Sequence, residues 1–405
     1  MANFKLITLL GIRPDYIRMF KLIKLIDEKG KDDIEHILVH SGQHYDPELF
    51  GNFIKDLGIR QPDMDLGIGL TLKERGSNTY AAQTALLDER VYEMLERQKP
   101  DAVMYLGDTN TVLSSVIVAR YGVPVIHLEA GGRSFDWRMP EEKCRIVIDH
   151  LSDALYSYLP RYKDLLLAEG VADFRVKVIG NIIMDAVNEW MPRVEASTVL
   201  RDLKLESKKF ILMGLHREEN ITNGDILRNK LTDIAKFAQE KQMPVVFPMM
   251  PRTVANVEKF GLMDIINSST FIKTKPLGFF DFLRLEKEAR LIVSDSGTVQ
   301  EEGLIVGTPT VIARRSTERP ETIWAGATVL EGLDGSGTLY AKMTQAWDMP
   351  TTWDRNILNP DGGSPSQRVF DDLIAKVRSN WFKTSRSYET LSGDPRVRRA
   401  YGGNA

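Results

Sequence analysis

Acidic, basic and hydroxyl side chains gather where short apolar runs of this chain stop. The densest group is His127–Arg145: Glu129 ends an apolar run, Gly131-Gly132 lets backbone approach a ligand, and Arg133, Arg138 and Arg145 follow among Asp136, Glu141 and Glu142. Such charge density beside a core strand suits a site that tunes pKa values and moves protons. Glu141 and Glu142 also follow Pro140, where first-turn acids simply complement a helix dipole. Gly107-Asp108-Thr109-Asn110-Thr111 sets an acid and hydroxyls at another stop, a pattern that helix capping explains equally well. In Gly11-Ile12-Arg13-Pro14-Asp15 the Gly and Pro have structural reasons and Arg13 has none. Further along, His216-Arg217-Glu218-Glu219-Asn220 follows an apolar run, and three charged neighbours make a ligand-facing His the better reading. Asp295-Ser296-Gly297 is a small-residue turn opening a helix, whose free N–H groups suit a phosphate. Arg314-Arg315-Ser316-Thr317-Glu318-Arg319 adds three cations and two hydroxyls, which suits a diphosphate.

These positions need strands and helices to hold them. Runs rich in β-branched residues predict strands at Lys5–Leu10, His36–His40, Ala102–Leu106, Pro124–Leu128, Ala154–Tyr158, Phe210–Gly214, Pro244–Pro248, Leu291–Ser294 and Thr310–Ala313. Helical periodicity predicts Tyr16–Glu28, Thr111–Tyr121, Glu141–Leu151, Asp225–Gln242, Phe279–Ala289 and Val299–Val306 between them. The alternation implies an α/β fold with two Rossmann-like, doubly wound domains facing a central cleft, ligands lying beyond the carboxyl ends of the strands. The expected division is residues 1–182 and 183–365, with a loop-rich connector over Asp334–Pro365. A helix near 366–380 would return to the first domain, and 381–405 would form a mobile or subunit-contacting tail.

Composition removes other classes. The chain has 405 residues, too many for one ordinary core, and 53 Lys and Arg against 56 Asp and Glu, which disfavours nucleic acid as a partner. One cysteine, Cys144, excludes an internal disulfide and a Cys cluster for metal, so a cytoplasmic location is expected. No apolar stretch is long enough to span a membrane, and the apolar start reads as a first strand rather than a signal peptide. Neither G-x-G-x-x-G after a strand nor G-x-x-x-x-G-K-[ST] occurs, and the His40/His44 pair sits in the wrong setting for a metal. No cofactor and no metal are expected.

Taken in order, Gly11-x-Arg13-Pro14-acid, Gly42-Gln43-His44, Gly107-Asp108-Thr109, Glu129-Ala130-Gly131-x-Arg133, Pro140-Glu141-Glu142, His216-Arg217-x-Glu219, Asp295-Ser296-Gly297 with Gln300-Glu301-Glu302, and Thr317-Glu318-Arg319-Pro320-Glu321 resemble the non-hydrolysing UDP-N-acetylglucosamine 2-epimerases. The resemblance covers about residues 4–378. It implies a glycosyltransferase-B type fold, a homodimer, a UDP-sugar substrate and a place in polysaccharide precursor synthesis. The implied chemistry is anti elimination of UDP to a 2-acetamidoglucal, followed by re-addition. That demands acid–base groups near C2 and positive charge on the leaving diphosphate. Asp108, Glu129 and Glu141 meet the first demand, with no division of labour assigned among them. Arg13, Arg319 and the Ser296-Gly297 helix start, with the catalytic candidate His216 nearby, meet the second. Arg18, Arg133, Arg145 and Arg217 are further substrate-binding candidates. Phe282 matches a position against uracil and Glu302 one that grips the ribose.

This sequence also departs from the family pattern. Arg18 stands where most members carry Lys, so it would act by charge rather than proton exchange. Cys144 stands where they carry Asn, and Tyr45-Asp46-Pro47 replaces the polar run that regulated members use for an allosteric UDP-sugar. Phe135-Asp136-Trp137-Arg138 and His216-Arg217-Glu218-Glu219-Asn220 are closer to relatives working on modified sugars, such as UDP-N-acetyl-L-talosamine/fucosamine or UDP-diacetamido-glucuronate. A hydrolysing 2-epimerase and a glycosyltransferase of the same fold are the alternatives.

Overall fold

The computed structural model of the protein describes residues 4–42, 53–77, 79–332, 338–386 and 393–394. The chain forms two compact units: residues 1–186 with 361–405, and residues 187–360. The division falls inside the helix Ile183–Glu195, which carries Pro192.

The first unit holds seven strands among the described residues: β1 (Phe4–Leu10), β2 (Ile34–His40), β3 (Met64–Asp65), β4 (Ala102–Leu106), β5 (Val125–Leu128), β6 (Ala154–Ser157) and β7 (Val176–Val178). They pair in parallel in the order β3-β2-β1-β4-β5-β6-β7. Phe4 lies opposite Ile34 on one side of β1, and Leu6 opposite Ala102 on the other. The second unit repeats the plan with β8 (Ile211–Gly214), β9 (Val245–Pro248), β10 (Phe271–Thr274), β11 (Leu291–Ser294), β12 (Thr310–Ile312) and β13 (Thr328–Leu330), ordered β10-β9-β8-β11-β12-β13. Each order reverses direction once, between β1 and β4 and between β8 and β11. Doubly wound sheets bind ligands beyond the carboxyl ends of their strands at that reversal.

Both faces of each sheet are buried, which is why the strands read as continuous apolar runs. In β8, Ile211 and Met213 join a core with Leu227, Leu231, Ile234 and Phe237 of the helix Gly224–Glu240, whereas Leu212 joins Leu285 and Val299 on the opposite face. In the first unit, Ile7, Leu9, Val103 and Tyr105 pack with Leu87, Val91 and Leu95 of the helix Tyr80–Gln98.

Three expectations change. The stretch between Thr111 and Tyr121 is a 3-10 turn, Asn110–Ser114, running into a short helix, Ser115–Tyr121. The connector contains a helix, Leu339–Trp347, capped by the Thr338 hydroxyl and holding Tyr340 and Trp347 edge-on to Phe237. Its flanking glycines hid that apolar spacing. The chain then returns to the first unit through the helix Pro365–Arg378: the Tyr156 hydroxyl donates to Asp372 at 2.9 Å and Arg368 Nε to the Ile179 carbonyl at 2.7 Å. Beyond it, the start of the expected tail is docked rather than mobile, with Phe382 buried against Phe4 and Arg386 paired with Asp153. Among the described residues no helix is long and apolar enough to cross a membrane.

Candidate functional site

At the reversal of the first sheet, the residues just beyond β1, β4 and β5 converge on buried guanidinium groups. Asp15, in the first turn of the helix Arg13–Lys29, accepts the Gly11 and Ile12 N–H groups at 3.0 Å each and Arg18 Nη2 at 3.2 Å. Burial pushes its carboxyl up, and the Arg18 charge and these bonds recover only part of the shift, leaving it at about 6. Arg18 also donates to Glu129, the residue directly after β5. Glu129 has φ +70°, a left-handed conformation that costs a non-glycine residue about 1–2 kcal/mol and recurs at functional sites. Gly107 has φ +73°, which strains any other residue, and a Cβ there would lie 3.2 Å from Arg18 Nη2 and 3.3 Å from Glu129 Oε2. A side chain there would crowd that ion pair.

Asp108 follows directly and accepts from Arg145, whose other amino group reaches Glu142 at 2.7 Å. Asp108 and Glu129 remain 22% and 12% exposed, while Arg145 and Arg18 behind them are 4% and 7%. The cations therefore sit inside and the acids outside. Cys144, in the same helix Pro140–Leu151, has its thiol pushed up to about 12, first by burial and then by the charges of Asp108 and Glu141.

A second layer holds this one. The Glu142 carboxyl accepts the Ser134 N–H at 3.0 Å, the Ser134 hydroxyl at 2.9 Å and the Phe135 N–H at 2.9 Å, stitching the loop after β5 to the helix. Arg133 spends its guanidinium on Asp149 at 2.7 Å, on both Glu169 oxygens and on the Gly132 carbonyl at 2.8 Å. His127 lies between Asp149, at 2.7 Å, and the Gly107 carbonyl, at 2.9 Å, tying the ends of β4 and β5 together. Burial alone would raise Asp149, but the hydrogen bonds and charges of His127 and Arg133 keep it below the ordinary carboxylate range. Arg13 lies with its guanidinium 5.7 Å over the Phe53 ring.

In the second unit Asp295, just past β11, is fully buried and gathers the loop after β8. It accepts the His216 N–H at 3.0 Å, the Arg217 N–H at 2.9 Å and Asn220 Nδ2 at 2.9 Å, and His216 Nδ1 lies 2.9 Å from it. Burial would raise this carboxyl, yet the His216 charge and these donors hold it at about 2. Arg217 Nε donates to the Asp295 carbonyl at 2.9 Å. His216 is therefore oriented through Nδ1 while 45% of its side chain stays exposed. Ser296 is the N-cap residue of the helix Gly297–Val306, and its hydroxyl does not cap that helix. A Cβ on Gly297 would meet Arg319 Nη1 at 2.5 Å, so the glycine lets this guanidinium lie against the helix start. Arg319 is braced by Glu318 and by Glu301 at 3.0 Å, and Arg314 binds Glu318 at 2.9 Å. Phe282 stands in the helix Phe279–Glu288, packed against a cluster containing Leu285 and Val299. A groove of about 670 Å³ opens past β9 and β10, lined by Met249, Val254, Thr274 and Pro276 among others. Among the described residues no group of three or more His, Cys, Asp or Glu is placed to hold a metal ion.

A family model described as UDP-N-acetylglucosamine 2-epimerase matches residues 27–358. The chain belongs to that family. It is 34% identical over 378 residues to the UDP-N-acetylglucosamine 2-epimerase of Methanococcus maripaludis, a match covering 92% of this chain and 98% of that one. It is 33% identical over 337 residues to the UDP-2,3-diacetamido-2,3-dideoxy-D-glucuronate 2-epimerase of Pseudomonas aeruginosa, covering 81% and 88% of the two chains. The crystal structure of the Methanocaldococcus jannaschii UDP-GlcNAc 2-epimerase in complex with UDP-GlcNAc and UDP superposes with a TM-score of 0.83 at 31% identity, over 92% of this chain and all of that one, 100%. The fold is α/β with two Rossmann-like domains of the glycosyltransferase-B type.

The family motifs thus fall at the strand ends of both sheets: Arg18, Asp108, Glu129 and Arg145 are brought together in the first unit, and His216, Arg217, Ser296, Gly297 and Arg319 lie along the reversal of the second. Asp15, Asp149 and Asp295 were not singled out as site residues, although each is a hub on which the others depend. Asp15 stands three residues before Arg18, the ion-pair spacing of a helix face. Asp295 ends an apolar run, as Glu129 does. Gln43 and His44 of the second motif, and Tyr45-Asp46-Pro47 after them, lie outside the described residues.

Proposed function

We propose that this chain interconverts UDP-N-acetylglucosamine and UDP-N-acetylmannosamine by inverting C2, with its acids moving protons at the sugar and its second-unit cations holding the diphosphate. The observation that carries this reading is the wiring of the first-unit acids. Asp108 and Glu129 are outward-lying carboxylates, each bound to a buried arginine, in a chain of the 2-epimerase family.

In the forward direction a base takes the C2 proton, the C2–H electron pair becomes the C1=C2 bond, and the C1–O bond breaks with its electron pair leaving on UDP. An acid then protonates C2 on the opposite face and a UDP oxygen re-forms the bond to C1. Asp108, Glu129 and Glu141 are the acid–base set; removing one such group typically costs 10²–10⁴-fold in rate, in order of magnitude. Arg18 aims Glu129 and Arg145 aims Asp108. Arg133 is given a supporting part, since its donors are already engaged on Asp149, Glu169 and Gly132. His216, Arg217, Arg319 and the Ser296-Gly297 helix start take the negative charge that builds on the departing diphosphate, with Arg13 a further cation for it. Uracil lies along Pro276–Phe282 and Glu302 takes the ribose hydroxyls. A homodimer in the cytoplasm belongs to the same reading, supported by the family resemblance; light scattering on the purified protein tests the dimer.

The 33% identity to the diacetamido-glucuronate enzyme favours a second reading, in which the sugar is modified at C3 and C6 while the C2 chemistry is unchanged. Proton NMR in deuterated water with UDP-N-acetylglucosamine separates the outcomes. Deuterium entering C2 with an intact UDP-mannosamine product is expected. Free UDP and free sugar would make the enzyme hydrolytic. No exchange with this substrate, but exchange with UDP-2,3-diacetamido-2,3-dideoxy-D-glucuronate, would overturn the first reading in favour of the second.

A further inference from the structure

One side chain ties the helix Gly297–Val306 to the loop that carries Arg319. Gln300 stands one turn into that helix and is fully buried, so it touches no ligand itself. Its amide nitrogen donates to the Arg319 carbonyl at 3.0 Å and to the Thr322 hydroxyl at 2.5 Å, and its amide oxygen accepts from the Thr317 hydroxyl at 2.7 Å. A main-chain carbonyl can only accept, which orients the amide with its nitrogen towards Arg319. The two threonines close the network. The Thr317 hydroxyl also accepts the Arg319 N–H at 3.1 Å, and the Thr322 hydroxyl also donates to the Arg319 carbonyl at 3.0 Å. Both main-chain polar groups of Arg319 are thus held by one network centred on Gln300. The next residue of the helix, Glu301, takes the other end of Arg319, pairing with its guanidinium at 3.0 Å. That guanidinium lies against the helix start, where a Cβ on Gly297 would sit 2.5 Å from Nη1. The network needs two donors and an acceptor on one side chain. A carboxylate of the same shape offers no donor and an apolar side chain offers neither, so the amide is what fits.

We propose that Gln300 is a positioning residue for the diphosphate: it locks the Arg319 main chain to the helix Gly297–Val306, so that guanidinium and helix start meet a nucleoside diphosphate as one preset unit. This rests on the reading of Arg319 and the Ser296-Gly297 helix start as diphosphate contacts. Preset donors bind an anion without first having to be ordered, and that saving appears as affinity. Without the Gln300 amide, the Arg319 carbonyl loses a donor and the Thr317 hydroxyl an acceptor, and the loop no longer holds the guanidinium against the helix.

The test is calorimetric titration of the full-length protein with UDP in a double-mutant cycle of Gln300→Met and Arg319→Ala. Met is as long and unbranched as Gln and lacks the amide. Gln300→Met is expected to weaken UDP binding by about tenfold, the worth of one charge-linked hydrogen bond, and Arg319→Ala by about tenfold or more. The double variant should bind within about threefold of Arg319→Ala alone, because Gln300 acts through Arg319. Uridine, which lacks the diphosphate and is followed by NMR, should bind Gln300→Met within about threefold of the wild type. If Gln300→Met does not fold, Thr317→Val cuts the same link from the half-buried side and should weaken UDP by about fivefold, only while Arg319 is present. Losses that multiply in the double variant, an equal loss for uridine, or wild-type UDP affinity in Gln300→Met would each overturn the inference and leave the reading of Arg319 standing. Unaltered UDP affinity in Arg319→Ala would overturn that reading and the inference with it.

Discussion

At the reversal of the first sheet two buried arginines, Arg18 and Arg145, hold the carboxylates of Glu129 and Asp108; at that of the second sheet the buried Asp295 holds the exposed His216 imidazole through its carboxylate and the Arg217 guanidinium through its main-chain carbonyl. The strand order is the same and the sense of the charge is inverted. Under the proposed function the inversion follows from what each site faces. A carboxylate that exchanges a proton with carbon needs exposure and a fixed direction, which a buried cation supplies. A cation that meets a diphosphate needs the reverse support, and Asp295 gives it through backbone N–H groups that cost no side-chain entropy. On the proposed reading one supersecondary plan serves both proton transfer and anion binding, with the difference written in a few side chains at the strand ends.

The sharpest way to break this comparison is to neutralise each side in turn. Asp108→Asn, Glu129→Gln and Glu141→Gln are each expected to lower kcat by about 10²–10⁴-fold, while UDP affinity stays within about threefold. Arg319→Ala should do the opposite first, weakening UDP binding by about 10-fold or more, as loss of a charge-assisted contact does. Steady-state kinetics with calorimetric UDP titration reads both. Equal loss of UDP affinity in all three acid variants would make those acids structural, and unaltered binding in Arg319→Ala would remove that residue from the diphosphate.

Two acids extend the contrast to stability. Asp295 is held at about 2, below the reference 3.8, so its contribution, about 2 kcal/mol, is present above pH 3.8 and lost as the pH falls towards 2. Asp15 is raised from 3.8 to about 6, so the sign reverses: its folded state is favoured below pH 3.8 and loses about 3 kcal/mol as the pH rises through 6. Thermal unfolding across pH should show a shallower acid limb in Asp295→Asn and a flatter profile between pH 4 and 6 in Asp15→Asn. Matching slopes in the two variants would mean that the units are not wired in opposite senses.

Much of the frame was legible in the sequence because doubly buried parallel strands are continuous apolar runs and their ends carry the polar residues. Ala102–Leu106 and Leu291–Ser294 match to the residue. Short edge strands such as Met64–Asp65 and Thr328–Leu330 left too little pattern, and the helix Tyr80–Gln98 shows its apolar face only once packed. At the site, residue types announced which groups can exchange protons or bind anions. What the sequence did not disclose was who supports whom. Arg133 reads as a ligand-binding cation beside Glu129, yet its partners Asp149 and Glu169 lie far along the chain, so only folding reveals that its donors are engaged.

Cys144 gives the finest test of the first-unit arrangement. It is the only cysteine, so any thiol signal belongs to it. Burial together with the charges of Asp108 and Glu141 raises the thiol to about 12, and the thiol, unlike the thiolate, is a poor nucleophile. Ellman's reagent at pH 8 should therefore react with the native protein far more slowly than with the urea-unfolded chain, where a full equivalent is released. Asp108→Asn removes one of the two charges and should speed the native reaction only slightly, because burial, the largest cause, remains. A native rate close to that of the unfolded chain would mean that the helix Pro140–Leu151 does not keep Cys144 buried, and the raised thiol would fail with it.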